Sequence, residues 1–240
     1  MKITAGNMHF QKLNEQIRSC ADASIEIENC LGQRYIGSGL SGKKITISGT
    51  PGNALGAYLD GSVIEVHGNA QEATGDTMNA GAIYIHGSSG DATGYAMRGG
   101  KIYVAGNTGY RAGIHMKAYR DKKPVLVVGG AAGSFLGEYQ AGGIIVVLGL
   151  TLHGEPPVGF FCGTGMHGGK IYLRCHTPPK DLPKQVVCRK AAQDDKKEIL
   201  PYLTEFCDKF GKDLQKLMSD IFYVCTPDTK NPYKQLYTAN

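Results

Sequence analysis

The sequence predicts an all-β protein, a single-stranded right-handed parallel β-helix of about seven turns with a short N-terminal helix and a C-terminal helical extension. Three observations point there. A nineteen-residue period holds its register through Gly37, Gly56, Gly75, Gly94 and Gly113 at one position, and through Gly49, Gly68, Gly87 and Gly106 at another. The same step carries apolar columns: Ile45, Ile64, Ile83 and Ile102; Ile47, Val66, Ile85 and Val104; Leu40, Leu59, Met78, Met97 and Met116. Within a unit, Lys44–Gly49 and Val63–Gly68 alternate apolar and polar residues, the period of a strand with one buried face. A chain that returns to one residue type at such a step is a stack of turns.

Residues 1–36 are predicted to cap the stack. Phe10, Leu13 and Ile17 share one face of a helix from about His9 to Cys20, and Ser24–Glu28 follows as a leading strand. The repeat occupies 37–177. Each strand there ends at a glycine and the next begins about fifteen residues later. That distance is too short for a crossover helix with two loops, so equivalent strands stack in parallel, about 4.8 Å apart. Stacking lines the interior with the isoleucine and methionine columns. The glycines take corners that need positive φ or leave no room for Cβ. An aspartate at an interior rung, as in Ile83→Asp, would bury an unpaired charge and cost several kcal/mol in denaturant unfolding.

Gly94–Val104 returns as Gly163–Leu173 with seven of eleven positions identical, which extends the repeat toward residue 175. Two insertions interrupt it, Lys117–Pro124 and Leu150–Val158, and the turns begin near Gly37, 56, 75, 94, 113, 137 and 159. A left-handed β-helix uses a hexapeptide phase of eighteen residues per turn, which a unit of nineteen cannot keep through four turns. The right-handed form is therefore expected. Residues 178–240 change texture. Prolines 178, 179 and 183 make a linker, Leu200, Leu203, Phe206, Cys207 and Phe210 form a helical stripe stopped by Gly211, and Leu214, Leu217, Met218 and Ile221 suggest a second helix. An irregular tail is expected from Thr226, and the helices are expected to cap the last rung, with docking of a partner as the alternative.

Composition narrows the function classes. The 34 glycines among 240 residues are about twice the usual share, and their periodicity makes them architecture, not low complexity. The net charge of +5 is spread along the chain, which is no nucleic-acid footprint, and no apolar run approaches a membrane span. Seven cysteines, an odd number with no pair closer than ten residues and no signal peptide ahead of them, fit reduced thiols in the cytoplasm. No tight cysteine cluster marks an iron–sulfur or structural zinc site in this chain.

The chemistry-bearing residues form few constellations. His67 and His86 stand one period apart and hence on adjacent rungs, pointing outward beside Glu65, Tyr84 and Tyr103. They fit an exposed polar column better than a metal pair. Cys162 with His167 has the residue types of a thiol nucleophile and base, but Arg98 at the equivalent place one unit earlier marks the His167 position as simply outward. Asp60, Asp76 and Asp91 do not share a column, so the carboxylate cluster of a calcium-dependent lyase is not apparent. Gly109–Gly113 and Gly37–Gly39 match phosphate loops only as any glycine-periodic chain would. The local basic run Lys117, Arg120, Lys122 and Lys123 in the first insertion is the candidate partner contact. No catalytic, cofactor-binding or metal-binding residues are assigned.

The G-x-x-M-x-G-G-x-I-x-V-x-G units, with Gly129-Gly130, Leu136–Tyr139, Ala141–Gly149, Gly32–Gly37 and Cys162–Gly169, resemble the GXGXG repeat domain at the C-terminus of the glutamate synthase large subunit. The resemblance covers about residues 5–177 and is to the free-standing form, in which amidotransferase, flavin-binding and β-helix parts are separate polypeptides. It implies a structural subunit of a complex that converts glutamine and 2-oxoglutarate to glutamate. The expected partners are a class II glutaminase and an FMN-containing synthase, with FMN and an iron–sulfur cluster in those partners and none here. Met1 is followed by Lys2, not by the amino-terminal cysteine that such a glutaminase needs. The β-helix subunit of formylmethanofuran dehydrogenase resembles the same repeat and is the close alternative; the long second insertion and helical tail favour the first. An independent β-helix enzyme, acyltransferase or polysaccharide lyase, is a third reading, and self-association is left open.

Overall fold

Each repeat unit folds into one short strand followed by a glycine-cornered loop, and the strands stack in register. The computed structural model describes residues 1–228. In chain order the elements are β1 (Lys2–Thr4), α1 (Phe10–Ser19), β2 (Ser24–Leu31), β3 (Lys44–Thr50), β4 (Asp60–His67), β5 (Ala80–Ile85), β6 (Lys101–Val104) and β7 (Val125–Val128). They continue with β8 (Ala141–Val147), β9 (Gly168–Arg174), β10 (Val186–Lys190), α2 (Gln193–Phe210), α3 (Leu214–Ser219) and β11 (Phe222–Pro227). All eleven strands form one sheet in the order β1 to β9, then β11, then β10. The first nine are parallel, whereas β11 runs antiparallel to β9 and β10 antiparallel to β11.

The register repeats the sequence period. Lys44 stands beside Val63, Val63 beside Ala82, and Ala82 beside Lys101, each nineteen residues on. Across the first insertion the step is 24 (Lys101 beside Val125) and across the second it is 26 (Ile144 beside Lys170), so the extra residues leave the ladder intact. A second parallel column links Ala70, Ser89, Thr108, Ala132 and Val158. Next to it the Oδ1 of Asn69 accepts from the Ser88 N–H (2.8 Å), the Oγ of Ser88 from Asn107 (3.0 Å), and the Oδ1 of Asn107 from Ala131 (2.8 Å). Polar side chains thus satisfy loop backbone one turn on, where no strand partner is available.

The glycine columns do two different jobs. Gly37, Gly56, Gly75, Gly94 and Gly113 have φ between 64° and 75°, the left-handed region that glycine enters freely. Gly87 and Gly106 are not left-handed. A Cβ at Gly106 would strike the Ser88 hydroxyl and the Gly87 carbonyl, so bare space is what they supply. The same left-handed geometry recurs two residues before each corner glycine, at Tyr35, Ala54, Ala73, Ala92, Arg111, Phe135 and Phe161. It recurs again two residues after, at Tyr58, Thr77, Ala96, His115 and Tyr139, with φ of 50–61° throughout. These N–H groups bond to the following turn (Ala54 to Glu72 O, 2.9 Å; Tyr58 to Asp76 O, 2.7 Å), whereas the corner glycine bonds to the preceding one (Gly56 to Ile36 O, 2.8 Å). Alternate bonding up and down fastens each corner to both neighbours, which offsets the strain of the non-glycine residues.

Two apolar clusters flank the sheet. One contains the isoleucine and methionine columns (Ile45, Ile64, Ile83, Ile102, Met78, Met97, Met116), with Leu13 and Ile17 of α1. The other lies on the outward face, where Tyr103, Val125, Val127, Ile144, Val146 and Tyr172 meet Ile199, Leu203 and Phe206 of α2 and Leu217 after it. The C-terminal helices therefore cover a flank and do not cap the last rung; the antiparallel pair β11–β10 does that instead. α3 stops at Ser219, and Phe222–Pro227 is a strand, not the start of an irregular tail. The remainder of that expected tail lies outside the described residues. β7 and β8 explain the difference, because Val125–Val128 and Ile144–Val147 are buried on both faces and need a cover on each.

Candidate functional site

The outward column read from the sequence as exposed is a docking seam for α2. Tyr84 hydroxyl donates to the Glu205 carboxylate (2.6 Å), which also pairs with Lys101 (2.5 Å). Two turns nearer the helix start, Glu198 accepts from Tyr172 (2.8 Å) and pairs with Lys170 (2.6 Å) and Lys123 (3.4 Å). Burial alone would raise both carboxyl groups, but the hydrogen bonds from Lys170 and Tyr172 to Glu198, and from Lys101 and Tyr84 to Glu205, outweigh it. Both lie below the usual carboxylate range. Tyr103 is wholly buried, and burial, then the Glu205 charge, push its hydroxyl well above the ordinary tyrosine range.

Where α2 ends, Glu65, His67 and His86 come together. His86 Nε2 is 3.0 Å from Glu65 Oε1, the two imidazoles lie 4.5 Å apart centroid to centroid, and Lys209 holds the other Glu65 oxygen at 2.9 Å. Phe210 meets His86 edge-on at 5.1 Å. An open groove of about 440 Å³ beside them is lined by Tyr84, Pro201, Thr204, Glu205, Asp208 and Lys209.

The thiol–imidazole pair does not assemble a nucleophile. Cys162 is buried and burial pushes its thiol up to about 12, while His167 Nδ1 lies 3.3 Å from the Gly165 carbonyl. All seven cysteines are free thiols. Cys188 and Cys225 face each other across β10 and β11 with sulfurs 3.1 Å apart.

A surface that sequence reading missed runs along the left-handed corners. His115 stacks on Tyr139 (5.1 Å) and meets Tyr95 (6.0 Å); Phe135 meets Tyr110 (5.3 Å) and Phe161 (5.0 Å). Tyr58, Tyr95, Tyr110, Tyr139, Phe160 and Phe161 are all exposed, Phe160 at 67%. Arg111 lies 4.9 Å above the Tyr110 ring and pairs with the buried Glu138 at 2.8 Å. The available signal lies at one repeat position, which reads Ala54, Ala73 and Ala92 in the early turns and then Arg111, Phe135 and Phe161.

In the first insertion Lys117, Arg120, Lys122 and Lys123 are exposed. Lys122 reaches Asp60 at 3.7 Å, Lys123 reaches Glu198, and Arg120 lies over Tyr119 at 5.2 Å. Half of the run is thus ion-paired within the chain, and Arg120 adds a ring contact. Among the described residues no helix is long and apolar enough to cross a membrane.

Comparison with known proteins gives concordant results. The GXGXG motif family matches residues 8–227, well past residue 177 where the sequence resemblance was placed. An uncharacterized protein of Methanocaldococcus jannaschii is 45% identical over 251 residues, covering 99% of this chain and 96% of its own length. Among solved structures, a chain of the formyltransferase/hydrolase complex from Methylorubrum extorquens in complex with methylofuran superposes with a TM-score of 0.62. It is 20% identical and covers 85% of this chain and 74% of its own, a likeness of fold.

Proposed function

The chain belongs to the GXGXG motif family, and from that premise we propose that it is a structural subunit of a multi-subunit complex. Residues 37–177 form the body, a right-handed β-helix of about seven turns, flanked by 1–36 and 178–240. The observation that carries this reading is the aromatic corner surface. Six exposed tyrosine and phenylalanine side chains with an arginine among them are the composition of a protein interface, not of free surface. The complex is of glutamate synthase type. A glutaminase and an FMN-containing synthase are its other subunits, they hold the FMN and the iron–sulfur cluster, and this chain lends surface without catalytic residues of its own.

A second reading is favoured by the solved neighbour, whose complex carries out formyl transfer and hydrolysis: a subunit of a formylmethanofuran dehydrogenase type assembly. Gentle affinity purification of the tagged protein from its native cells separates the two. Co-purifying glutaminase and flavin-containing synthase, with flavin and iron absorbance in the eluate, is the expected result. Molybdenum or tungsten enzyme subunits would favour the second reading, and a colourless solitary protein would overturn both.

A further inference from the structure

The repeat places the same residue type at the same place turn after turn, so a local departure from it calls for its own explanation. The column through His67 and His86 is Ser48 before and Ala105 after; the column through Glu65 is Thr46 before and Tyr84 after. Two imidazoles and a carboxylate therefore converge at one spot and nowhere else in the period. Glu65 and His67 are two residues apart on β4 and share its outward face, and His86 follows β5 directly, on the neighbouring rung beside His67.

One ligand atom from each of the three lies within 4.8 Å of the others. Ligands bound to zinc at about 2.0–2.2 Å stand about 3.4 Å apart around a tetrahedron, so small χ rotations close the set. The Glu65 side chain is only 12% exposed and its second oxygen is held by Lys209, which orients the first toward His86. Such a second partner is what metal-binding carboxylates normally have. His67 opens to solvent, leaving a path for an ion and a coordination position for water.

The geometry points to a binding site for a zinc-type divalent transition ion at Glu65, His67 and His86, at the end of α2. The ligand set of two imidazoles and one carboxylate suits zinc and its neighbours and is ill-suited to magnesium or calcium, which prefer oxygen donors. Ion binding replaces the His86–Glu65 hydrogen bond and cross-links β4 to the end of β5.

The test uses the full chain, stripped of metal with a chelator, with thiols reduced, and Co²⁺ as the probe. The expected result is one equivalent bound, with ligand-field bands, no thiolate-to-cobalt charge-transfer band, and displacement by Zn²⁺. His67→Ala with His86→Ala should weaken binding at least tenfold while the far-ultraviolet circular dichroism spectrum is unchanged. Glu65→Gln should weaken it as well, and excess Zn²⁺ should raise the melting temperature of the parent only. Absence of saturable binding overturns the site, as does a thiolate band or affinity indifferent to the histidine substitutions. None of these outcomes bears on the scaffold reading, which stands on the purification of partners.

Discussion

Gly75 and Ala92 test what the left-handed corners cost. A Cβ on Gly75 would meet the Ile102 Cδ1 inside the stack and would also force an L-residue to φ 72°. Ala92 already sits at φ 54°, with a strain of about 1 kcal/mol that glycine would relieve. Gly75→Ala should therefore lose about 2 kcal/mol or more in urea unfolding, and Ala92→Gly should gain up to about 1 kcal/mol. Thiol labelling is a second test at this scale. Cys30 is pushed up to about 11 by burial, and Cys162 and Cys175 to about 12, whereas Cys20 and Cys188 are partly exposed. Iodoacetamide at neutral pH should modify Cys20 and Cys188 first, and the five buried cysteines only after denaturation, as read by peptide mass spectrometry. The glycine columns and interior isoleucines were legible because one residue type dominates each. The flanking left-handed columns were not, because hydrogen bonds to both neighbouring turns impose that geometry on alanine, tyrosine and phenylalanine alike.

The element that matters most for the outward face is α2. Leu203 and Phe206 are fully buried against the strands, and Glu198 and Glu205 anchor the helix through Lys170, Tyr172, Lys101 and Tyr84. Both carboxyl groups are depressed in the folded protein, so their contribution is complete above the unfolded value of about 4.3. It is lost as pH falls through the folded values. Amide hydrogen exchange in Gln193–Phe210 should consequently accelerate as pH falls from about 5 to about 3, after correction for intrinsic rates, more than exchange in β3–β5. Equal acceleration in both would remove the carboxylates from this role. The helix and its stop at Gly211 were legible from the apolar spacing. The expectation that it caps the last rung was wrong, although the strands carried the signal of its resting place: Val125–Val128 and Ile144–Val147 lack the alternation of Val63–Gly68, and an unbroken apolar strand implies cover on both faces.

For the whole molecule, the proposed role as a subunit turns on two exposed surfaces, the aromatic corners and the basic first insertion. Charge reversal at Lys117 and Arg120, which have no ion pair to α2, should weaken co-purification of partners at low salt, with the effect shrinking as salt rises. Reversal at Lys123 would in addition disturb Glu198, so it serves poorly as a probe of assembly. Assembly unaffected by the Lys117 and Arg120 reversals would take the insertion out of the interface. The overall stack was legible from the nineteen-residue period. The exposed aromatic surface was not, because a periodic core pattern does not single out side chains that face solvent.

The final reversal of direction at β11 and β10 carries a consequence for solubility. A stack of nearly identical turns with parallel strands is a short piece of fibre, since every turn is a template for another. Chain ends that simply stopped would leave such a template at the top of the molecule. Instead β11 turns antiparallel across β9, and the last strand presents Arg189 and Lys190 at the rim, where another turn would have to land. The antiparallel pair β11–β10 thus replaces a parallel edge with one whose outer strand carries charge, an arrangement that disfavours edge-to-edge stacking at that end.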